Sequence, residues 1–249
     1  MITVASTIAQ RAPVMDTNPV SSGLAADIAS ASVGVHEEVV IGRDHHLVKA
    51  TLFQLMDGDA NPFERIGNLC RGGVGVVLKV GLAHVGEFGG IEGTAKIKGE
   101  LTSALTTDNL MIGNADDGYI RDMPTKAKQI WFGTAPDARY RATDLQLNIE
   151  GTSFEMHWPS GEVERITLRI LGEHHVMNAL AACAVADQLG VSHALIKDAL
   201  EAMPLAERWR MELTNRADGV SIINDAYNAS PDSMKAALQT LAQLGKSGR

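Results

Sequence analysis

Aromatic residues are scarce in this 249-residue chain, only 4% of the total. A core must therefore be built from Val, Ile, Leu and Ala, which suits layered α/β packing. Positive charge is also short: the formal net charge is -8 at pH 7. Phosphate-backbone binding needs a basic face, so a non-specific nucleic-acid partner is excluded. No apolar run approaches the length of a membrane span, so no membrane span is predicted. The amino terminus has no basic segment leading into an apolar stretch, so no secretory signal is expected and a cytoplasmic location is. There are two cysteines, Cys70 and Cys183, with neither metal nor redox spacing. Two reduced thiols are the reading that follows.

What is present is ordinary for a globular chain: 45% hydrophobic and 21% charged residues. Residues 1–55 are rich in Ala, Ser and Thr and show no sustained period. A short helix over 25–31 and a short strand over Val39–Ile41 are the readable pieces. His45 and His46 are adjacent, point in different directions and read as a polar turn rather than a metal pair. From residue 73 the pattern sharpens. Val74–Leu78 is a continuous apolar run, the mark of a strand buried on both faces. Helical spacing covers Ile91–Leu105. Two more buried strands are predicted at Leu110–Ile112 and Ile130–Phe132, giving βαβ units. Alternation then takes over. Leu145, Leu147 and Ile149, then Phe154, Met156 and Trp158, predict an antiparallel hairpin, with a further strand through Val163 to Ile170. An Ala-rich helix over 176–189 stops at Gly190. Ser192 is placed to cap another helix that ends at Pro204. A strand over Val220–Ile223 and a helix opened by Ser230-Pro231 and closed by Gly245 complete the chain.

Four short segments carry the chemistry. They are Val80-Gly81-Leu82-Ala83-His84-Val85-Gly86-Glu87-Phe88-Gly89, Lys98-Gly99-Glu100, Asn114-Ala115-Asp116-Asp117, and Asn224 to Ser233. Three of them follow directly on a predicted strand, where open α/β sheets bind ligands. Taken singly, each has a plainer reading: a structural histidine, a solvated helix face, a turn. Their order and spacing resemble the Mur ligase family, in particular its D-alanyl-D-alanine-adding branch. Gly172, His174, Val176, Asn178 and Ala179 to Ala182 fit that family's helix entry, and Arg208 to Glu212 resembles its R-x-R-M-E form. The resemblance runs from about Val74 to Gly245.

The resemblance implies a mostly parallel sheet flanked by helices, with an antiparallel hairpin sub-sheet and the beginning of a Rossmann-like C-terminal domain. It divides the chain into a poorly matched segment (1–55), a partial central ATP-binding domain (56–212) and the start of a C-terminal domain (213–249). It implies ATP and Mg²⁺ as cofactors, and UDP-muramoyl peptide and D-Ala-D-Ala as partners. His84 and a carbamylated Lys98 would hold magnesium. Asn114 would approach adenine, and His174 and Asn178 would help form the nucleotide pocket. Arg210 would contact phosphate and Asp225 the ribose.

Several departures qualify these expectations. The family's phosphate-binding G-x-x-G-K-T string is absent. Gly245-Lys246-Ser247 follows a helix rather than a strand and has Thr240 where the longer pattern needs Gly. The family's magnesium-binding Glu before Met-Gly finds only Leu55-Met56-Asp57-Gly58. Lys79, His175 and Ser230 each stand where the family usually has Asn. The chain's end falls one strand and one helix into the C-terminal domain, short of the amino-acid site. The chain by itself is accordingly expected to lack ligase activity, and a non-catalytic nucleotide- or partner-binding role is the alternative.

Overall fold

The computed structural model describes residues 38–43, 46–51, 73–82, 89–203, 211–226 and 229–245, with side chains from residue 73 onward. Among these, eight strands form one sheet in the order β2-β1-β3-β4-β5-β6-β7-β8. The strands are β1 (Glu38–Arg43), β2 (His46–Thr51), β3 (Val74–Val77), β4 (Leu110–Asn114), β5 (Lys128–Gly133), β6 (Tyr140–Asn148), β7 (Gly151–His157) and β8 (Val163–Leu168). Strands β3 to β6 run parallel to one another. The rest pair antiparallel on either flank. Helices are α1 (Ile91–Ala104), α2 (Gly118–Arg121), α3 (His174–Gln188), α4 (His193–Ala202) and α5 (Pro231–Leu244). A separate two-stranded sheet joins β9 (Glu212–Asn215) to β10 (Ser221–Asn224).

Alternation along the parallel strands divides the core between two faces. Val74, Val76, Ile112, Ile130 and Phe132 pack under α3 and α4. Val77 and Met111 point the other way, to Leu101, Leu105 and Ile120 of the α1–α2 side. Helix α3 is buried on nearly every face, and its five alanines let it approach β4 to β7 closely. Cys183 lies in its middle, a buried free thiol whose pKa burial pushes up.

Several predicted elements are found within a residue or two. Ser230 caps α5, its Oγ accepting from Ser233 N at 3.2 Å. Ser192 occupies the N-cap position of α4, but its side chain makes no capping hydrogen bond. Other features differ from the expectations. The strand predicted at residues 39–41 belongs to a hairpin whose second strand, β2, begins at His46, paired with Arg43. Leu47 and Val48 are too short an apolar signal to announce it. The expected antiparallel hairpin strands are present and join the main sheet, where Tyr140 and Arg141 pair in parallel with β5. Within β6 the register shifts between Thr143 and Gln146, and Asp144 has a φ of 48°. This bulge moves the inward face from Tyr140 and Ala142 to Leu145 and Leu147. Strand β9 and helix α2 are not among the predicted elements. The helix read over 25–31, Asp57, Cys70 and Pro204 lie outside the described residues.

Candidate functional site

The carboxyl ends of β3 and β4 meet one short backbone segment, Leu78 to Leu82. Four elements hold it. Asn114, the last residue of β4, donates its Nδ2 to Leu78 O at 3.0 Å. Lys98 of α1 donates its Nζ to Lys79 O at 2.6 Å. Val80 N donates to Asp117 Oδ2 at 2.7 Å. Leu82 N donates to Asp232 Oδ2 at 3.1 Å, and the same oxygen meets Lys79 Nζ at 2.9 Å. The segment is thus fixed by polar contacts from β4, α1, α2 and α5, to which its own Lys79 side chain adds one.

The Asn114-Ala115-Asp116-Asp117 string is more than a turn. Asn114 Oδ1 accepts from Asp116 N at 2.9 Å, an Asx-type closure. Asp117 is the N-cap of α2, its Oδ1 accepting from Tyr119 N at 3.0 Å and Ile120 N at 3.3 Å. Asp116 turns toward the loop after β5 and accepts from Thr134 N at 2.7 Å and Ala135 N at 2.8 Å. One sequence motif therefore ties together the ends of three neighbouring strands.

A cleft of about 100 Å³ opens beside this motif. Leu78, Asn114, His174, Met177 and Asn178 line one side, and Asp232 and Ala236 of α5 the other. His174 and Asn178 stand four residues apart on α3, so they share one helix face. The ring of His174 lies 4.0 Å from that of His175, centroid to centroid. Asn114 and Asn178 are each 7% exposed. Helix α5 spans the mouth. Asp232 holds its first turn, and near its end Gln243 Nε2 donates to Glu173 Oε1 at 3.0 Å. Burial works against the charged form of Asp232, but the Lys79 ammonium and the Leu82 amide outweigh it and keep its pKa below the ordinary carboxylate value.

Of the residues singled out in the sequence, Asn114, His174 and Asn178 come together in this cleft, and Lys98 reaches the segment that borders it. The solvated-face reading holds for Lys96, which is exposed, but not for Lys98, which is 2% exposed. Asp225 does not line the cleft; its Oδ1 accepts from Met211 N at 3.1 Å, at the start of the β9–β10 sheet. His84 and Arg210 lie outside the described residues. Sequence reasoning missed Asp117, Asp232 and the part played by Lys79. For Lys79 there was a signal, since a lysine stands there in place of the family's usual Asn. Among the described residues, no group of three or more His, Cys, Asp or Glu is gathered as a metal would require. No described helix is long and apolar enough to cross a membrane.

This parallel-stranded sheet has the fold of a known class of ligases, and comparison with known proteins fixes the class. The family model for the Mur ligase middle domain matches residues 56–186, and that for the Mur ligase glutamate ligase domain matches residues 209–249. The chain belongs to the Mur ligase family. More particularly, it is 41% identical over 174 residues to the UDP-N-acetylmuramoyl-tripeptide--D-alanyl-D-alanine ligase of Mycobacterium tuberculosis, covering 69% of this chain and 34% of that one. Among solved structures, MurF from Acinetobacter baumannii is similar with a TM-score of 0.65 and 31% identity, over 73% of this chain and 40% of that one. MurF from Thermotoga maritima, solved in complex with ADP, shares the fold with a TM-score of 0.61 at 23% identity, over 72% of this chain and 42% of that one. The chain thus spans about a third of the length of the curated relatives it matches.

Proposed function

We propose that the chain is a nucleotide-binding part of an ATP-dependent ligase that adds D-alanyl-D-alanine to a UDP-N-acetylmuramoyl tripeptide in peptidoglycan synthesis. In that reaction the terminal carboxylate of the peptide is phosphorylated, and the amine of D-Ala-D-Ala then attacks the acyl phosphate and expels phosphate. The observation that carries the reading is the meeting of Asn114, His174 and Asn178 in one cleft at the strand ends. Two carboxamides and an imidazole offer donors and acceptors that fit a purine edge, and the Met177 thioether fits a purine face. Sites for small molecules usually measure about 300–1,000 Å³. A cleft of about 100 Å³ holds less than a whole nucleotide. Helix α5, held across the mouth by polar contacts, moves aside to admit the rest.

The two cofactors fit unequally. Magnesium takes hard oxygen ligands. The Lys98 ammonium is a donor and does not fit a cation; as a carbamate it would, together with His84. Bound Mg²⁺ would supply charge neutralisation at the phosphates. This chain's own residues do the positioning: Asn114 fixes Leu78, and Lys98 fixes Lys79. A sequence without G-x-x-G-K-T supports adenosine binding rather than phosphoryl transfer by this chain alone.

Calorimetry with ATP and Mg²⁺ tests the reading. Micromolar binding is expected, weakened about tenfold by Asn178→Ala, the loss of one good polar contact. No heat at millimolar ATP overturns it.

A second reading, a partner-binding protein without catalysis, has one observation in its favour. Leu238 and Leu241 of α5 are 59% and 54% exposed, and Ile222 of β10 is 45% exposed. A monomer by light scattering that binds ATP separates the first reading from this one.

A further inference from the structure

The Asp232 carboxylate sits where a bound anion would sit. Two donors converge on its Oδ2: the Lys79 ammonium at 2.9 Å and the Leu82 backbone N–H at 3.1 Å. A lysine and backbone amides just past a strand end are how phosphate-binding loops hold an anion. The backbone that leads to Leu82 is fixed by contacts that do not involve α5: Asn114 holds Leu78 and Asp117 holds Val80. Lys79 and Asp232 both line the cleft, together with Asn114, His174 and Asn178. A ligand lying in the cleft therefore has both donors within its wall.

The hold on Asp232 is light. The Lys79 and Asp232 side chains are 51% and 29% exposed, and exposed ion pairs contribute little. A phosphate brings more charge and more acceptor oxygens to the same donors than a carboxylate does. We propose that Lys79 and the Leu82 amide form a phosphate-binding subsite of the cleft, and that Asp232 of α5 plugs it until a ligand's phosphate takes its place. As a nucleotide subsite it rests on the reading of the cleft as nucleotide-binding; as an anion site it rests on its own contacts. Displacing the plug removes the hydrogen bonds that tie the first turn of α5 to the strand end. Phosphate binding and widening of the mouth are then one event. The departure at position 79 is what makes this possible. Asn, the family's usual residue there, is neutral, and its side chain neither attracts phosphate nor draws in Asp232 by charge. One ammonium and one amide hold a phosphate without surrounding it as phosphoryl transfer requires.

Inorganic tripolyphosphate tests the site without a base attached. Titrated into the isotope-labelled full chain, it is expected to move the Leu82 amide and Asp232 carboxyl-carbon resonances together. Asp232→Asn unplugs the site and is expected to tighten tripolyphosphate about fivefold, and Lys79→Asn to weaken it about fivefold, the scale of one exposed charge pair. Two controls separate the site from general charge. Glu173→Gln removes a carboxylate that meets α5 near its other end, and Lys128→Asn removes an exposed lysine where β5 begins. Both are expected to leave the affinity within about twofold of native, since solvent and salt screen distant charges. A Leu82 amide that stays put overturns the proposal, as does an affinity that responds to the controls as strongly as to Lys79 and Asp232. ATP and adenosine then place the site. ATP that binds more tightly than adenosine, with the gap closed by Lys79→Asn, joins it to the nucleotide cleft. Tripolyphosphate that binds as described while neither ATP nor adenosine does refutes the ligase reading and leaves the anion site standing. ATP that binds no more tightly than adenosine, with tripolyphosphate silent at Leu82, leaves the adenosine reading standing and overturns this inference.

Discussion

The two sides of the cleft are built by opposite means. The floor, from β3 to β8 with α3 and α4, is a packed apolar core in which Phe132, Phe154 and Ile166 are fully buried. The far wall, α5 with the β9–β10 sheet, leaves Ile222, Met234, Leu238 and Leu241 exposed. Among the described residues, Asp232 and Gln243 tie it across by hydrogen bonds, and Ser233 and Thr240 are buried. Apolar packing is hard to displace because every methylene lost leaves a cavity. Polar contacts at a rim exchange with water at little net cost. A cleft with a stiff floor and a wall held by hydrogen bonds keeps its recognition groups in place while its mouth can widen.

The largest expected effect lies in the floor. Phe154→Ala should cost about 3–5 kcal/mol by urea unfolding, as aromatic truncations in a closed core do. Its counterpart in the wall, Leu238→Ser, should change stability by no more than about 0.5 kcal/mol. Equal costs at the two positions would dissolve the contrast between the regions. A smaller effect should come from Tyr140→Phe. The Tyr140 hydroxyl donates to Asp187 Oδ2 at 2.6 Å and accepts from Gln188 Nε2 at 2.8 Å. Removing it should cost about 1–2 kcal/mol by the same measurement, the value of a partly buried hydrogen bond to a charged group.

A smaller effect than that of Tyr140 belongs to the latch between wall and floor. The folded-state pKa of Asp232 lies below its unfolded value, held there by Lys79 and Leu82 against the opposing effect of burial. Its contribution is therefore fully present above the unfolded carboxylate range, about pH 4, and is lost as pH falls through the lower folded value. Asp232→Asn should cost about 1 kcal/mol or less at neutral pH, since the Lys79 side chain is 51% exposed. The gap between variant and native protein should close in strong acid. A gap that widens on acidification would show that Asp232 does not act through its charge.

Legibility follows the same division. Local signals of the floor could be read directly: the apolar run at Val74–Leu78, the alternation in Phe154, Met156 and Trp158, and the i, i+4 placement of His174 and Asn178. The different fates of Lys96 and Lys98 are also written in the helix. Residues two apart point to opposite sides, so one is solvated and the other buried. What could not be read was long-range. Asp232 looks like an acidic residue in a helix's first turn, and nothing near it in sequence names Lys79, 153 residues away. Asp117 sits in a string that reads as a turn, and its second oxygen's partner, Val80, is 37 residues away. The β1–β2 hairpin was half-seen because six-residue strands with mixed composition carry little period. The bulge in β6 escaped for the opposite reason. Tyr140 and Ala142 suggest one inward set, Leu145 and Leu147 another, and only the pairing with β7 reconciles them.

That bulge has a bearing on how this sheet can change length. Between Thr143 and Gln146 the strand advances three positions while its partner, Glu155 to Ser153, advances two. Take out Asp144 and the count becomes even: Leu145 and Leu147 shift into step with Tyr140 and Ala142, and all four still face the core. The loss would be an exposed ion pair with Arg165 and one residue at positive φ. A chain one residue shorter at this point would bury the same side chains. Within this hairpin, then, deletion of the bulged residue is a silent edit to the core, and β6 is where lengths among related chains have room to differ.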